Sequence, residues 1–583
     1  MPDERPAAET CAPRRIVERP APESVSELSK SLSPRMARIY SARGVNSMDQ
    51  LDLALGALLL PRALDGAAHA AGLLADAVIA GRHIRFVGDF DADGATSSVV
   101  GVAALRAMGC ARVSFIVPNR FEFGYGLTPE IVAIAMADHP DVLVTVDNGI
   151  SSIEGVRAAR AAGAMVIITD HHLPGREMPD ADAIVNPNLP GCAFGSPNLA
   201  GVGVIFYVLT LLRTELRERG WFERIGIEPP NMADFLDLVS LGTVADVVPL
   251  DHNNRILVQQ GLRRIRAGKA RPGIRALCEA AGRPMATLSA ADLGFGLAPR
   301  LNAAGRLDDM SIGIRCLLAD NLIEARSLAT ALEELNESRK AIQQQMTHEA
   351  ELSVATIDLA GQTQLGLCVY REGWHQGVVG IVAGRLKDRF ARPVIAFADA
   401  GATAPDELRG SARSIPGVHI RDAIDAIATR YPGLIRRFGG HAMAAGLSIR
   451  RMHLQRFTDA FATEIGQWVT ADEIGGIILS DGDLAGSELE LSLADEIARG
   501  GPWGQGFPEP LFHGDFDVVN QRVVGERHLK LSLRKNARVV DAIAFNQAPL
   551  DNAQRARVAY RLSRNDYQDR ATLQLVVEHI ARV

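Results

Sequence analysis

The sequence is short of the features that mark several classes of protein. Its six cysteines are scattered, with no Cys-x-x-Cys pair, which argues against a disulfide framework and a structural zinc site. The longest apolar run, Val202 to Leu212, is shorter than the roughly 20 residues that cross a bilayer. No apolar segment follows the charged N-terminus, so we expect no secretory signal, no membrane attachment and a cytoplasmic protein.

An excess of positive charge is also missing. The 583 residues carry 62 basic and 69 acidic side chains, a net charge of −7. A uniformly basic coat for nucleic acid is therefore excluded, and any phosphate-binding surface must be local. Because 56 of the basic residues are arginine and only 6 are lysine, a single arginine carries little information, and its ordinary interpretation is a surface ion pair.

Length and pattern together predict several domains. At about 150 residues per domain, the chain is long enough for about four. Pro, Ala and charged residues dominate positions 1–25, which we expect to be disordered, and a helical stretch follows to about residue 80. From Arg82 onward apolar strands alternate with helices, which predicts a parallel sheet covered on both faces. Ser151 and Glu154 have the spacing of a capping box for one of these helices.

The second half of the chain changes pattern twice. No Gly or Pro occurs between residues 313 and 361, and apolar side chains recur at helical spacing, which predicts one long helix from about Asn321 to Ala355 that connects two bodies. A second α/β segment follows to about residue 468. Five short strand-like segments then predict a small barrel of the OB type: Asp515–Val519, Leu529–Leu533, Arg538–Phe545, Val558–Leu562 and Leu573–Val577.

Three carboxylates follow the first apolar strand of the alternating region. The segment Asp89-Phe90-Asp91-Ala92-Asp93-Gly94 comes directly after Ile84–Gly88. In open α/β sheets ligands bind at the carboxyl ends of the strands. Clustered carboxylates repel one another and are costly to bury unless a cation neutralises them. The alternatives are an acidic solvated loop and an EF-hand fragment, but the flanking helices and the later Glu of an EF-hand are missing.

Two further apolar strands end in polar motifs. Val142–Val146 is followed by Asp147-Asn148-Gly149, and Met165–Thr169 is followed by Asp170-His171-His172. An isolated His pair ordinarily lies in a surface loop. Here the pair and several carboxylates lie at the ends of strands that are predicted to be neighbours. Histidine and carboxylate ligands without a thiolate suit Mn²⁺ or Mg²⁺. Several carboxylates imply two metal ions, which can clamp the attacking and leaving oxygens of a phosphoryl displacement.

Four motifs in this order resemble those of the DHH phosphoesterase superfamily: Asp89–Gly94, Asp147–Gly149, Asp170–His172 and Gly242–Asp246. Other segments are similar to the branch of this superfamily that degrades single-stranded DNA: Pro118–Arg120, Gly124–Leu127, Leu297–Arg306 and Gly410–Ser414. Arg437–His441 resembles the glycine-rich motif of the DHH-associated domain. The resemblance extends from about residue 50 to the C-terminus.

The resemblance implies a set of catalytic residues: Asp91, Asp93, Asp147, His171, His172 and Asp246. Asp147 would be shared between two metal ions, with Asp91 completing the first site and the other carboxylates and His171 completing the second. His172 would face the scissile phosphate. Many superfamily members have a histidine ligand where this sequence has Val87, and Asp89 is an additional candidate ligand here.

Cationic and amide groups are expected to hold the phosphodiester beside the metal ions. The resemblance implies this role for Arg120, Arg300, Asn302, Arg306, Ser411, Arg413, Gly439, Gly440 and His441. Arg300, Ser411 and Arg413 would form a pocket for the 5′ end; the alternative for Arg413 is an ion pair with Asp406 or Glu407. Gly439–Gly440 is predicted to open a helix whose N–H groups bind an anion, although such a Gly pair is often only a turn and His441 is as easily structural.

The C-terminal region is locally basic. Residues 513–583 contain 12 Arg and Lys against 8 Asp and Glu, a local charge of +4. Small basic barrels bind single strands through a groove in which aromatic rings stack on the bases. Tyr560 and Tyr567 are the candidates for stacking, and a place in the barrel core or at its rim is the equal alternative.

The predicted fold class is α/β, with a parallel-sheet DHH domain joined by a long helix to a second α/β domain, the DHH-associated domain, and a C-terminal β-barrel of the OB type. The predicted boundaries are an N-terminal segment at 1–49, partly disordered, the DHH catalytic domain at 50–320, the long helix at 321–360, the DHH-associated domain at 361–470 and the OB domain at 471–583. The two α/β domains are expected to face each other across a cleft.

The resemblance implies a metal-dependent exonuclease that degrades single-stranded DNA 5′→3′ to 5′-mononucleotides in DNA repair and recombination. It also implies single-strand-binding protein and a RecQ-type helicase as partners, and we expect a monomer. One alternative is a nanoRNase or small-nucleotide phosphatase of the superfamily, but those chains are shorter and lack the barrel. The other is a non-catalytic replication scaffold, against which the intact motif ligands argue.

Overall fold

The computed structural model describes residues 14–20, 22, 25–119, 126–359, 364–401, 404–469, 476–525, 527–550, 553–567 and 570–583, with the backbone alone for 356–359 and 567. The chain divides into two compact units. Unit 1 contains residues up to 18 and 337–480, and unit 2 contains residues 19–336 and 481–583. Among the helices of the described residues, none combines the length and apolar character of a bilayer span.

The strands, numbered along the chain, are β1 Arg15–Glu18, β2 Ile84–Gly88, β3 Val113–Ile116, β4 Val142–Val146, β5 Met165–Thr169, β6 Ala183–Val185, β7 Leu367–Tyr370, β8 Val394–Asp399, β9 Glu407–Arg413, β10 Ile435–Gly440, β11 Ala444–Arg450, β12 Ile477–Ser480, β13 Phe512–Val524, β14 His528–Lys535, β15 Arg538–Ala544, β16 Arg555–Tyr567 and β17 Arg570–Arg582.

The α-helices are α1 Val25–Leu28, α2 Pro34–Ser41, α3 Ala67–Ile79, α4 Ala92–Ala107, α5 Pro129–Ala135, α6 Ile153–Ala161, α7 Gly201–Glu218, α8 Trp221–Ile225, α9 Leu236–Ala245, α10 His252–Arg266, α11 Pro272–Ala280, α12 Ala290–Asp292, α13 Ala298–Leu307, α14 Ser311–Leu318, α15 Leu322–Leu359, α16 Val379–Phe390, α17 Ile420–Arg430, α18 Leu454–Ile465 and α19 Leu491–Arg499. A π-helical turn, Leu293–Leu297, leads into α13.

Unit 2 is built on a five-stranded sheet in the order β3-β2-β4-β5-β6, and each neighbouring pair is parallel. Side chains alternate between its two faces, as strand geometry requires. Ile84 and Phe86 pack with the residues of α4 and α7, whereas Val87 packs with those of α5 and α6. The prediction of a parallel sheet covered on both faces is therefore confirmed.

The same unit contains the C-terminal barrel, which is closed in the order β13-β14-β15-β17-β16. The five predicted strands are present and are mostly longer than the sequence pattern indicated. Tyr560 is fully buried and contacts the rings of Phe512 and Phe516. The prediction that Tyr560 stacks on bases is wrong, because this side chain belongs to the barrel core. The side chain of Tyr567 lies outside the described residues.

Unit 1 contains a five-stranded sheet in the order β10-β11-β9-β8-β7, in which only β7 and β8 are parallel. Helices α17 and α18 pack on it through Ile424, Phe457 and Phe461. Gly439 and Gly440 end β10 and pair with β11, so the prediction that they open a helix is wrong. At Gly440 φ is +140°, and a Cβ there would lie 2.5 Å from the carbonyl oxygen of Ala444.

Three local predictions also differ from the structure. Strand β1 pairs in parallel with β12, so the prediction of disorder is wrong for Arg15–Glu18, while residues 1–13 lie outside the described residues. The stretch before residue 80 is α1, α2 and α3 separated by turns rather than continuous helix. Helix α6 begins after Ser152 and has no capping box, because the Ser152 hydroxyl accepts a bond from Leu127 N at 3.0 Å instead.

The predicted long helix is confirmed as α15, which runs from Leu322 to Leu359. The division between the two units falls inside it, between Asn336 and Glu337. A helix of this length without Gly or Pro continues through a domain boundary because its hydrogen bonds are all internal.

Candidate functional site

The candidate site lies at the carboxyl edge of the sheet in unit 2. Strands β2, β4 and β5 are neighbours there, and Asp89, Asp147 and Asp170 follow their last residues. All three side chains are buried. The predicted meeting of the strand-end motifs is therefore confirmed by the register of the sheet.

The loop after β2 turns directly into α4. Asp91 is the N-cap of this helix, and its Oδ1 accepts bonds from Asp93 N and Gly94 N, both at 3.0 Å. An N-cap carboxylate satisfies amide groups that have no partner inside the helix and is stabilised by the helix dipole. The same local structure therefore fixes Asp91 and turns Asp93 toward the interior, where it is 1% exposed.

Asp93 is held by a second helix that the sequence analysis did not identify. Its Oδ2 accepts a bond from Gly201 N at 2.6 Å and its Oδ1 accepts one from Val202 N at 3.0 Å, at the start of α7. A Cβ at Gly201 would lie 2.6 Å from Cβ of Asp147, so only glycine permits this approach. The sequence feature that could have indicated this contact is the Gly-Val-Gly segment that opens an apolar helix.

Asp147 has an unusual backbone conformation. Its φ is +62°, in the left-handed region that Asp and Asn tolerate better than other side chains with a Cβ. Its amide donates to Thr169 O at 3.0 Å, which anchors it to β5. The neighbouring Asn148 donates to Val87 O and Val146 O, and so ties the loop to β2 and β4.

His171 lies among three carboxylates. Its Nε2 is 3.0 Å from Asp147 Oδ1, 3.4 Å from Asp246 Oδ2 and 4.0 Å from Asp93 Oδ2. Asp246 caps the C-terminal end of α9, where the helix dipole disfavours a negative charge. A carboxylate in that position is better explained by a cation at the site than by helix stability.

Within the described residues, the candidate ligand atoms form three groups in which all members lie within 4.8 Å of one another: Asp89 with Asp91 and Asp147, Asp93 with His171 and Asp246, and Asp147 with His171 and His172. Asp147 belongs to two of them, as expected of a shared ligand. Oxygen and imidazole donors without a thiolate fit two hard divalent cations such as Mn²⁺ or Mg²⁺. Val87 is fully buried on the other face of the sheet and supplies no ligand.

The carboxylates suppress one another's ionisation. Burial, and then the charge of Asp91, raises the pKa of Asp93 to about 7. Burial and the charges of Asp93 and Asp91 raise the pKa of Asp147 and of Asp246 well above the ordinary value. A buried cluster in which three carboxylates resist ionisation is a site that a cation stabilises.

This arrangement predicts a pH-dependent effect of metal on stability. Because the folded carboxylates retain protons that the unfolded chain releases near pH 4, the free energy of unfolding of the metal-free chain should fall as the pH rises from about 4 to about 7. A bound cation favours the ionised carboxylates, so the gain in melting temperature on adding Mg²⁺ should be at least about twofold larger near pH 8 than near pH 5.5.

Thermal unfolding in EDTA and in Mg²⁺ at the two pH values measures this effect. Asp65→Asn, which changes an exposed carboxylate outside the site, should behave like the unmodified chain. An equal gain in melting temperature at both pH values would contradict the coupling between metal and carboxylate ionisation.

Asp170 orients the His pair rather than joining the ligand groups. Its Oδ1 accepts bonds from His172 Nδ1 at 2.8 Å and from His171 N at 2.7 Å, and its Oδ2 accepts one from Ile150 N at 2.9 Å. Burial acts to raise the pKa of Asp170, but these bonds outweigh it and the pKa is lowered. Burial acts to lower the pKa of His172, but the bond to Asp170 and the charges of Asp170, Asp89 and Asp91 together outweigh it and the pKa is raised.

Helix α13 supports the segment Asp89–Asp93, named here the carboxylate loop. Asn302 Oδ1 accepts a bond from Ala92 N at 2.8 Å, between the two aspartates of the loop. A Cβ at Gly305 would lie 1.8 Å from Phe90 O, so at this position the backbone of the helix touches the backbone of the loop. Arg306 lies in the last turn of this helix. The sequence analysis assigned Asn302 to substrate binding and did not predict its contact with Ala92 N.

Arg300 is already engaged within unit 2. Its side chain is 10% exposed, forms an ion pair with Glu333 on α15 and donates to Gly296 O and Ala280 O. Its role in binding a 5′ end remains a prediction, and it requires the guanidinium to exchange or share Glu333.

The remaining predicted site residues lie in unit 1 or outside the described residues. Ser411 and Arg413 are on β9, Gly439 and Gly440 on β10, and His441 in the turn after β10. Arg120 lies outside the described residues. Their roles in binding substrate remain predictions.

Comparison with known proteins identifies the family. The DHH family, N-terminal domain, matches residues 83–243, the DHHA1 domain matches 362–469, and the RecJ OB domain matches 480–579. The single-stranded-DNA-specific exonuclease RecJ of Dickeya dadantii is 51% identical over 566 residues, which are 96% of this chain and 98% of that protein. The chain belongs to the RecJ family. RecJ of Escherichia coli is 49% identical over 96% of this chain and 97% of its own length.

Solved RecJ structures have the same architecture. RecJ of Thermus thermophilus, crystallised in complex with Mn²⁺, has a TM-score of 0.79 and 30% identity over 98% of this chain and 80% of that chain. A manganese-bound exonuclease RecJ has a TM-score of 0.57 and 33% identity over 70% of this chain and 96% of its own. The predicted fold class, a DHH domain, a DHH-associated domain and a C-terminal barrel of the OB type, is confirmed by these matches.

Proposed function

We propose that this RecJ-family chain is a metal-dependent exonuclease that degrades single-stranded DNA in the 5′→3′ direction to 5′-mononucleotides, in DNA repair and recombination. The observation that carries the proposal is the cluster of buried carboxylates and His171 at three adjacent strand ends, with Asp147 in two of the ligand groups. A phosphodiester is the substrate class for which such a centre is suited.

Different residues have different roles in the proposed hydrolysis. Asp91 and Asp147 would hold one divalent ion, and Asp93, Asp147, His171 and Asp246 would hold the other. When bound, Mn²⁺ or Mg²⁺ supplies a water of lowered pKa and neutralises charge on the phosphate. His172, with Nδ1–H committed to Asp170, presents its other ring nitrogen to the reacting phosphate. Asn302 and the start of α7 keep the carboxylate loop in place.

The proposal is tested by product analysis. Full-length protein with Mn²⁺ should release labelled mononucleotide at once from a single strand labelled at its 5′ end. The same strand labelled at its 3′ end should release label late, and a blunt duplex should be resistant. Release of label from a dinucleotide only would instead indicate a nanoRNase, and absence of hydrolysis would indicate a non-catalytic scaffold.

Unit 1 contains a group of residues suited to a terminal phosphate. Arg413 Nη1 donates to Ser411 Oγ at 3.0 Å and to Ala412 O at 2.8 Å, and it forms no ion pair within the described residues. The alternative pairing of Arg413 with Glu407 is not seen, since Glu407 pairs with Arg436. Burial lowers the pKa of Arg413. A half-buried guanidinium without a carboxylate partner is a favourable place for an anion.

The start of α16 adds to this group. A Cβ at Gly380 would lie 3.0 Å from both Ser411 Oγ and Arg413 Nη2, so these side chains reach the first turn of the helix. A helix N-terminus favours negative charge. These contacts support the prediction that Ser411 and Arg413 bind the 5′-phosphate of the strand.

Removing the guanidinium should therefore reduce the preference for a phosphorylated end. Arg413→Ala is expected to lower the ratio of kcat/KM for 5′-phosphate over 5′-hydroxyl strands by about tenfold to a hundredfold, since a charge-assisted bond is lost. Arg436→Ala, which removes an exposed arginine from the neighbouring part of the sheet, should leave the ratio unchanged. Equal losses on both substrates in Arg413→Ala would make this residue structural.

The barrel is proposed to grip the strand rather than perform chemistry. Among the barrel residues that the structure describes, the aromatic residue Phe545, directly after β15, is 57% exposed, with the His528 ring 5.2 Å away. On the same outward surface, Arg522 lies opposite Lys530 in the β13–β14 ladder. Lys530 also pairs with Asp541 at 3.3 Å. Cations and an exposed ring on one barrel match the requirements of single-strand binding, and we propose Phe545 in place of Tyr560 as the stacking residue.

Phe545→Ala is expected to weaken binding of a long single strand by about fivefold to a hundredfold, because one base loses its stacking partner. Val539→Ala is the matched control, since Val539 is 53% exposed on the same strand without a ring. Fluorescence anisotropy with labelled oligonucleotides measures both. Equal affinities for the two variants would place the strand elsewhere on the protein.

The finer assignments are also part of the proposal. We propose the domain boundaries given above, a monomer acting in the cytoplasm, and single-strand-binding protein and a RecQ-type helicase as partners, as the resemblance implies. Free thiols at the five described cysteines support a reducing compartment. Size-exclusion chromatography with light scattering tests the monomer, and pull-down of the purified candidate partners by the full-length chain tests the interactions.

A further inference from the structure

A cavity in unit 2 is lined by none of the proposed metal ligands. Its volume is about 270 Å³. It lies between α2, the turns after residue 50, α10 and the end of α19, and its polar lining residues are Tyr40, Asp52, Arg255, Gln259, Arg263 and Arg499.

Arg255 is a buried cation at this cavity. The residue is 5% exposed, and burial lowers its pKa. Its Nη2 donates to Gln50 O at 3.0 Å and its guanidinium lies 4.2 Å from the centre of the Phe507 ring. Within the described residues it forms no ion pair, and its Nε has no hydrogen-bond acceptor. An incompletely satisfied buried cation is costly and is stabilised by an anion.

Two further arginines extend the positive charge to the cavity rim. Gln259 and Arg263 follow Arg255 at intervals of four residues on α10, so the three side chains share one face of the helix. Arg499 comes from the last turn of α19. Arg263 and Arg499 are exposed, and neither has a side-chain partner within the described part of the chain. Asp52 is the acidic residue of the lining.

We propose that this cavity, named here the arginine cavity, binds a phosphate monoester. A guanidinium group can bind two phosphate oxygens at once, and it retains its positive charge. It therefore favours a dianion over a neutral ligand. The volume lies below that of pockets for larger ligands, so the occupant is small. Inorganic phosphate and a 5′-mononucleotide share the required chemistry, and the second source rests on the proposed function because it would be the product.

Isothermal titration of the full-length chain in Mg²⁺ with dTMP, inorganic phosphate and thymidine tests the site. The unmodified chain should bind one more equivalent of dTMP than Arg263→Ala/Arg499→Ala, or bind it at least about tenfold more tightly. Arg106→Ala/Arg217→Ala, which removes two exposed helix arginines outside the cavity, should match the unmodified chain. Phosphate should compete with dTMP for the site, and thymidine should not bind.

Equal stoichiometry and affinity in the unmodified chain and in Arg263→Ala/Arg499→Ala would overturn the proposal, as would binding of thymidine without competition by phosphate. Competition by phosphate together with a gain in affinity from the nucleoside identifies the mononucleotide as the better occupant. Hydrolysis of single-stranded DNA is measured on the same preparations. Its absence in the unmodified chain would refute the proposed exonuclease while the phosphate titration still decides the arginine cavity.

Discussion

Asp147→Asn is expected to reduce hydrolysis of single-stranded DNA by at least about 10³-fold, which corresponds to about 4 kcal/mol in the activation barrier. Asp147 Oδ1 lies 3.0 Å from His171 Nε2, and the carboxylate belongs to two ligand groups. Replacing it therefore removes a charge from both proposed metal sites at once. Asparagine is preferred to alanine because it retains the shape and tolerates the φ of +62°.

Metal content and activity should fall together in this variant while the fold persists. Inductively coupled plasma mass spectrometry after gel filtration measures bound Mn²⁺, and circular dichroism follows unfolding. Asp65→Asn provides a carboxylate change in an exposed position outside the site. Turnover within tenfold of the unmodified chain would show that Asp147 is not the shared ligand.

Asp170→Asn is expected to lower kcat by about tenfold to a hundredfold without abolishing metal binding, the usual cost of losing a partner that orients a metal-site histidine. The carboxylate accepts the Nδ1 proton of His172, whereas an amide nitrogen in its place would compete as a donor and favour the wrong tautomer. Loss of the negative charge should also lower the pKa of His172, because the bond to Asp170 and the charge of Asp170 both act to raise it.

The pH–rate profile separates orientation from simple structural damage. In Asp170→Asn the limb that reports His172 should move to lower pH, with KM little changed. Asp182→Asn is the matched control. Asp182 Oδ2 also accepts a backbone bond, from Val166 N at 2.8 Å, but near the start of β5, whereas Asp170 follows the end of that strand. A lower rate with an unchanged profile would assign Asp170 a purely structural role.

The strand ends were predictable because each is marked locally. A mainly apolar segment of five residues that is buried throughout stands out, and the polar residue that follows it must lie at the sheet edge. The period of the apolar residues likewise predicted α15, and the short alternating segments predicted the barrel. In these elements local pattern and tertiary environment agree.

The wrong predictions concern segments whose local conformation depends on contacts with distant parts of the chain. A Gly pair serves a helix N-terminus or a strand end equally well, and only the pairing of β10 with β11 places Gly439 and Gly440 in a hairpin. Ser151 and Glu154 have the right spacing for a cap, yet the neighbouring hydroxyl of Ser152 bonds to Leu127 N, 25 residues earlier. Tyr560 faces inward because of the register of β16 in the closed barrel.

The contacts that hold the carboxylate loop in place also could not be predicted from the local sequence pattern. Gly201 N reaches Asp93 across 108 positions, and Asn302 reaches Ala92 N across 210. Resemblance marked Asn302 without indicating what it contacts, and it did not mark Gly201. Contacts of this kind depend on how helices pack against the sheet, which periodicity does not specify.

Diffraction data collected at the manganese absorption edge, from crystals of the full-length chain with Mn²⁺, would locate the metal ions themselves. We expect two anomalous peaks that share a contact with Asp147, one also beside Asp91 and the other beside Asp93, His171 and Asp246. A single peak away from Asp147, or strong peaks only at other residues, would contradict a two-metal centre at this edge of the sheet.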